Sequence, residues 1–129
     1  MDGGAERPLG FGFGGRAGSA SEDEKKSFAL LQDIGKLLSP IGAGEISPGG
    51  GGADIGPLMR DGVPGLGVRT VGTHYFDWHH TTTDTLDKVD KEDFRKNVAS
   101  LAVMAYVLAD MPGKLASGQA AGTPGRNLE

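Results

Sequence analysis

Between Tyr75 and Asp90 the chain reads Tyr-Phe-Asp-Trp-His-His-Thr-Thr-Thr-Asp-Thr-Leu-Asp-Lys-Val-Asp, and here the residues able to do chemistry are concentrated. The stretch holds two of the three histidines, the single Trp, one of the two Tyr and four carboxylates. A neutral imidazole nitrogen is a good metal ligand. A neighbouring acceptor can orient the ring, and aromatic side chains can keep bulk water away. His79 and His80 are therefore candidate ligands. Asp84, Asp87 and Asp90 lie three apart, unlike the alternating oxygens of a calcium loop. Asp90 reads as a helix cap and Asp87 as a solvated side chain. The same spacing suits a solvated loop whose histidines ligate nothing, so residue types by themselves leave both readings open.

Two glycine-rich segments invite a ligand. Gly49-Gly50-Gly51-Gly52 would let backbone approach a ligand closely or present N–H groups to an anion. A phosphate loop needs Lys and Ser or Thr after the last Gly, and Ala53 and Asp54 stand there instead. A flexible linker is the competing reading. Gly10-x-Gly12-x-x-Gly15 has the form of the dinucleotide fingerprint, but that motif must join a strand to an immediate helix. These glycines lie within an apolar strand pattern and the next helix signal begins only near Glu22, so a nucleotide site is not assigned.

The elements that would position these residues are legible. Residues 8–14 alternate large apolar residues with Gly, a short strand with close backbone approach. Ser21 and Glu24 form a capping box, Glu22 and Asp23 favour the positive helix end, and Phe28, Leu31, Ile34, Leu37 and Leu38 make one apolar stripe. Pro40 and Gly42 stop this helix. Residues 43–70 read as a loop, a short turn at Ile55–Arg60 capped by Asp54, and a strand at Val63–Val68 buried on both faces, as in a parallel sheet. Asp90 caps the last helix, with a stripe of Phe94, Val98, Leu101, Ala105 and Leu108. Val103, Met104, Tyr106 and Val107 widen that stripe to nearly every side. Residues 113–129, rich in Gly, Ala and Ser, read as a disordered tail. This order of strands and helices predicts an α/β layer sandwich whose sheet is incomplete.

The histidine stretch resembles the last zinc-ligand segment of the co-catalytic di-zinc exopeptidases, a family that includes bacterial leucyl aminopeptidases, carboxypeptidase Q and glutaminyl cyclases. There an aromatic or aliphatic residue precedes His-Thr or His-Ser, and Asp-Thr follows. Residues 1–13, with Asp2-Gly3-Gly4, Pro8 and Leu9–Phe13, resemble the segment in which an Asp ligand is followed by a small-residue turn, a Pro and a strand. Gly49–Leu58 and Gly62–Gly67 resemble the glycine-rich loop, short helix and strand that precede the histidine. In order and spacing these blocks resemble the C-terminal portion of the carboxypeptidase Q-like branch over residues 1–112.

The resemblance implies the C-terminal portion of a three-layer αβα zinc-exopeptidase sandwich. It implies two zinc ions in the complete enzyme, with Asp2 a ligand of one and His80, followed by Thr81, a ligand of the other. His79 and Asp84 would support the ligands from behind, and Gly50, Gly51, Gly52 and Asp54 would border a cleft for a peptide or dipeptide substrate. His74 has no counterpart, and surface or packing is its default. The implied activity is hydrolysis of a terminal peptide bond, of aminopeptidase or dipeptidase type. The family's site also needs a His-x-Asp pair and a Glu-Glu pair that supplies the general base. Neither pair can be placed in this chain, so no catalytic residue is assigned. A truncated fragment, inactive by itself, is expected. The alternative is a non-catalytic peptidase-like module for binding or homodimerisation, using the sheet edge and the apolar last helix.

Composition excludes other classes. Net charge is -4 with pI near 5.3, and the 13 Lys and Arg form no cluster. Phosphate binding needs a basic face, so no nucleic acid partner is expected. No polybasic patch and no apolar run of the length of a membrane helix appear, so no membrane association is expected. With no Cys there is neither disulfide nor thiolate metal site. Compartment is left open, secreted or periplasmic if a missing N-terminus carries a signal peptide.

Overall fold

The computed structural model describes residues 3–14 and 20–116. Its centre is strand β1 (Pro8–Phe13), flanked by β2 (Glu45–Pro48) in parallel and β3 (Leu66–Thr70) antiparallel, giving the order β2-β1-β3. Side chains alternate across a strand. Phe11 pairs with Ile46 and Val68, and Phe13 with Pro48 and Leu66. That face is apolar, and both Phe rings are 2% exposed. Burying each contributes on the order of 2 kcal/mol. The opposite face carries Gly10 and Gly12, in register with Glu45 and Ser47 on one side and Arg69 and Gly67 on the other.

Helix α1 (Glu22–Gly35) starts at the expected capping box: Ser21 Oγ accepts from Glu24 N at 3.2 Å, and the Glu24 carboxylate accepts from Ser21 N at 2.8 Å. Its α-helical part ends earlier than expected. Residues Lys36–Ile41 tighten into a 3-10 turn that takes in Pro40, and Gly42 closes it at φ 74. Leu31, Ile34 and Leu38 are buried on the apolar sheet face, whereas Leu37 is 61% exposed.

Helix α4 (Lys91–Asp110) begins where expected, Asp90 accepting from Asp93 N at 2.8 Å. Its buried face differs from the expected stripe. Asn97, Ser100 and Met104 are buried, while Phe94, Val98 and Leu101 are 46%, 49% and 39% exposed. The second half of the helix is apolar on nearly every side, so an apolar stripe does not single out one face. Of the helix's side-chain hydrogen bonds, those from Asn97 to the N-terminal segment are the ones that tie it to the rest of the fold. Asn97 Nδ2 donates to Glu6 O at 2.8 Å and Asp93 O at 2.9 Å, and Ser100 Oγ donates to Lys96 O at 2.8 Å.

Three expectations for residues 43–70 are corrected. Strand β2 was not foreseen, because a four-residue segment ending in Pro48 carries too little alternation. The Val63–Val68 strand begins later, at Leu66, runs antiparallel, and is half-exposed along its length because β1 is its single neighbour among the described residues. Helix α2 (Gly56–Arg60) has Ile55 at its cap with no side-chain hydrogen bond, so Asp54 does not cap it. Of the expected tail, residues 117–129 lie outside the described residues, as do Asp2 and Gly15. Among the described residues no helix is long and apolar enough to cross a membrane.

A Cβ added at Gly12 would lie 1.8 Å from the Gly49 carbonyl oxygen, and one at Gly10 1.8 Å from that of Glu45. Both obstacles are backbone, which cannot turn aside as a side chain does. Gly10→Ala and Gly12→Ala should each cost about 3 kcal/mol or more, read from urea unfolding followed by circular dichroism. Gly52→Ala, in open space, should be near neutral. In the same assay Ser21→Ala should cost about 1 kcal/mol through loss of the cap.

Candidate functional site

The histidine stretch follows β3 through Gly72, at φ 63, into the single-turn helix α3 (Tyr75–Trp78). Its entry is tied to the N-terminal segment, since His74 N donates to the Glu6 carboxylate at 3.3 and 3.4 Å. His74 is exposed, its Nδ1 2.8 Å from Asp77 Oδ2 and its ring stacked on Trp78 at 5.2 Å. One turn of helix sets His79 over Tyr75. Their rings stack at 4.5 Å and 23°, and His79 N donates to Tyr75 O at 2.9 Å.

His80 differs from its neighbour. It is the sole non-glycine residue at positive φ among the described residues, at 57°, and it is exposed. Left-handed backbone costs a residue with a Cβ roughly 1–2 kcal/mol. Thr81 holds the turn: its N and its Oγ1 both donate to Trp78 O, at 3.0 and 2.7 Å. The His80 ring lies 3.9 Å from that of His79, centroid to centroid.

Two cavities flank the site and share Gly4 in their walls. One, of about 330 Å³, is bordered by Tyr75, Trp78, His79, Asp84 and Phe94. The other, of about 390 Å³, is bordered by Gly51, Gly52, Asp54 and the Leu66–Val68 edge of the sheet. Gly50 packs against Gly12 instead. The structure thus brings His79 and Asp84 to one cavity and the cleft candidates Gly51, Gly52 and Asp54 to the next. His80 lines neither. Asp84 N donates to Thr81 O at 3.3 Å, a turn contact, and its carboxylate is exposed. Asp87 is solvated, and hydrogen bonds from Lys88 and Thr85 draw its carboxyl down to about 2.

Among the described residues no group of three His, Cys, Asp or Glu side chains converges as a metal site would require. The sequence reading missed Glu6 and Phe94 as cavity walls. It also missed Asn97, which anchors the wall from behind. An amide seven residues before Met104, in phase with it on the helix, is the signal that could have found Asn97.

Carboxypeptidase Q of Mus musculus is 35% identical over 86 residues, which are 67% of this chain and 18% of that protein. The Homo sapiens protein of that name is 31% identical over 110 residues, 85% of this chain and 22% of its own length. The Xenopus laevis protein is 31% identical over 104 residues, 81% and 20%. The chain spans about a fifth of the length of these curated relatives. No family model matches the chain, and no solved structure matches it. Likeness at this level, across two thirds or more of the chain, places it in a carboxypeptidase Q-like family relationship.

Proposed function

We propose that the chain is a segment of a zinc-dependent exopeptidase of aminopeptidase or dipeptidase type, inactive by itself. In this reading it belongs to a larger three-layer αβα domain that supplies the general-base Glu and the remaining ligands of two zinc ions. The family relationship over 67–85% of the chain carries the reading. The conformation of His80 supports it, because a left-handed residue with an exposed imidazole, held by a threonine, costs stability and gives no burial in return.

Zinc sites use three or more protein donors. The described residues gather no such group, so they do not by themselves fit the ion. No hydrolytic step is derived from them. Their part is to present and position. His80 offers one donor, the His79–Tyr75 stack fixes the wall behind it, and the Gly51–Asp54 loop borders space for an extended substrate.

A second reading rests on α4. Phe94, Val98 and Leu101 form a row of exposed apolar side chains, which favours a non-catalytic module for binding or homodimerisation. The in-frame sequence upstream of Met1 separates the two. Encoded His-x-Asp and Glu-Glu segments support the peptidase, and a stop codon just before Met1 supports the module.

The purified 129-residue chain, supplied with zinc, should hydrolyse neither dipeptides nor aminoacyl amides above the buffer rate. Turnover by the chain alone would overturn the fragment reading. In a complete enzyme carrying this segment, His80→Ala should abolish activity and lower bound zinc measured by atomic absorption. His79→Ala should keep zinc stoichiometry and lose activity about 10–100-fold. Equal zinc loss in both variants would sink the assignment of His80.

A further inference from the structure

We propose that the aromatic cavity beside His79 binds an organic cation, an ammonium or guanidinium group. Its space of about 330 Å³ is bordered by Tyr75, Trp78 and Phe94 and by Glu6 and Asp84, and the Glu6 carboxylate also accepts from His74 N. Ring faces attract cations through their quadrupoles. One face of Tyr75 is covered by His79 and one of Trp78 by His74, which leaves each a second face, and the acidic residues Glu6 and Asp84 border the same space. Lys88 also borders the space. Its Nζ is 2.6 Å from Asp87 Oδ2, so its charge is already matched. The Asp84 carboxylate makes no hydrogen bond or ion pair among the described residues. Behind the cavity, Asn97 Nδ2 donates to the Ala5 and Glu6 carbonyls and so holds the Glu6 segment in place.

Charge excludes an anion from such a wall. Size and geometry disfavour a bare metal ion. The space equals that of about ten water molecules, and among the described residues no three donors converge on one point. A cation with an alkyl stem meets both features, its carbon chain against the rings and its charge toward Glu6 and Asp84. Two sources share this chemistry: the free amino end of a peptide and a basic side chain. Use of the cavity as a substrate subsite rests on the exopeptidase reading; its affinity for a cation does not.

Trp78 is the single Trp of the chain and borders the cavity, so its fluorescence reports occupancy directly. The full chain would be titrated at constant ionic strength with alanine amide, N-acetylalanine amide and Nα-acetyllysine amide. A saturable change in the millimolar range is expected with one or both ammonium compounds and none with N-acetylalanine amide. Response to alanine amide alone identifies a peptide amino end, and response to Nα-acetyllysine amide alone a basic side chain. Asp84→Asn, at an exposed position, should weaken binding about tenfold, the equivalent of 1.4 kcal/mol. An equal response to N-acetylalanine amide, no response to any ammonium compound, or unchanged binding by Asp84→Asn overturns the proposal. Cation binding without peptidase activity in a complete enzyme would remove the exopeptidase reading and leave the cation site. Activity without a Trp78 response would do the reverse.

Discussion

The absence of a side chain at Gly12 is the constraint on which the rest of the structure depends. The Gly49 carbonyl oxygen occupies the position a Cβ would take, and the approach is mutual, since a Cβ at Gly50 would lie 2.5 Å from Gly12 O. Two backbones in such contact cannot slide apart without losing the glycine loop from the sheet. The loop then carries Gly51, Gly52 and Asp54 to the exposed edge of β3. The bare face of β1 also lets one side chain cross it. Arg69, in register with Gly10, reaches over the central strand to Ser47 Oγ at 2.7 Å and pairs with Glu45 on β2. Both partners of that ion pair are well exposed, so it contributes at most about 1 kcal/mol. Its effect is to fix the two edge strands relative to each other.

Asn97 makes a second anchor, and it explains why the site has walls at all. The segment Gly3–Arg7 has no regular structure, yet it borders both cavities. It stays in place because Asn97 Nδ2 binds its carbonyls from α4 while the Glu6 carboxylate accepts from His74 N. One end of the segment is thereby joined to the last helix and to the histidine stretch. Among the described residues Asn97 Oδ1 is buried without a partner, an arrangement that costs about 1–3 kcal/mol. Such a cost, with the larger Phe94 one turn away left half-exposed, shows packing shaped by position rather than by maximal burial.

Local signals were legible in the sequence wherever the determining interaction is itself local. The Ser21–Glu24 box, the Asp90 cap and the glycine–phenylalanine alternation of β1 each act within a few residues, and each stands where the sequence places it. What failed depended on partners distant in the chain. Strand β2 exists because β1 offers it a flat edge, which nothing in Glu45–Pro48 announces. The direction of β3 depends on how the chain returns through α2, and Leu66-Gly67-Val68 is compatible with either sense. The face of α4 depends on the buried amide of Asn97, which a stripe of apolar residues does not announce. The placement of Asp2 lies outside the described residues, and the pairing of that carboxylate with His80 stays an expectation from resemblance.

The tandem histidines show how a sequence resemblance acquires a physical reason. Two adjacent identical side chains in a regular element differ only in the face they take. Here they differ in backbone. His79 keeps φ at -53 and lays its ring on Tyr75. His80 turns to positive φ, and the next residue must stabilise that turn. Thr81 does so with two donors on one carbonyl, Trp78 O, and its hydroxyl also accepts from Thr83 N at 3.3 Å. A residue without a hydroxyl could supply only the backbone bond. The His-Thr pair is therefore a structural unit. The threonine fixes a strained conformation at His80, whose imidazole is exposed, while the His79 imidazole borders the cavity. Exposed and one residue from a stacked ring, the His80 nitrogen atoms are available to a partner that the described residues do not provide.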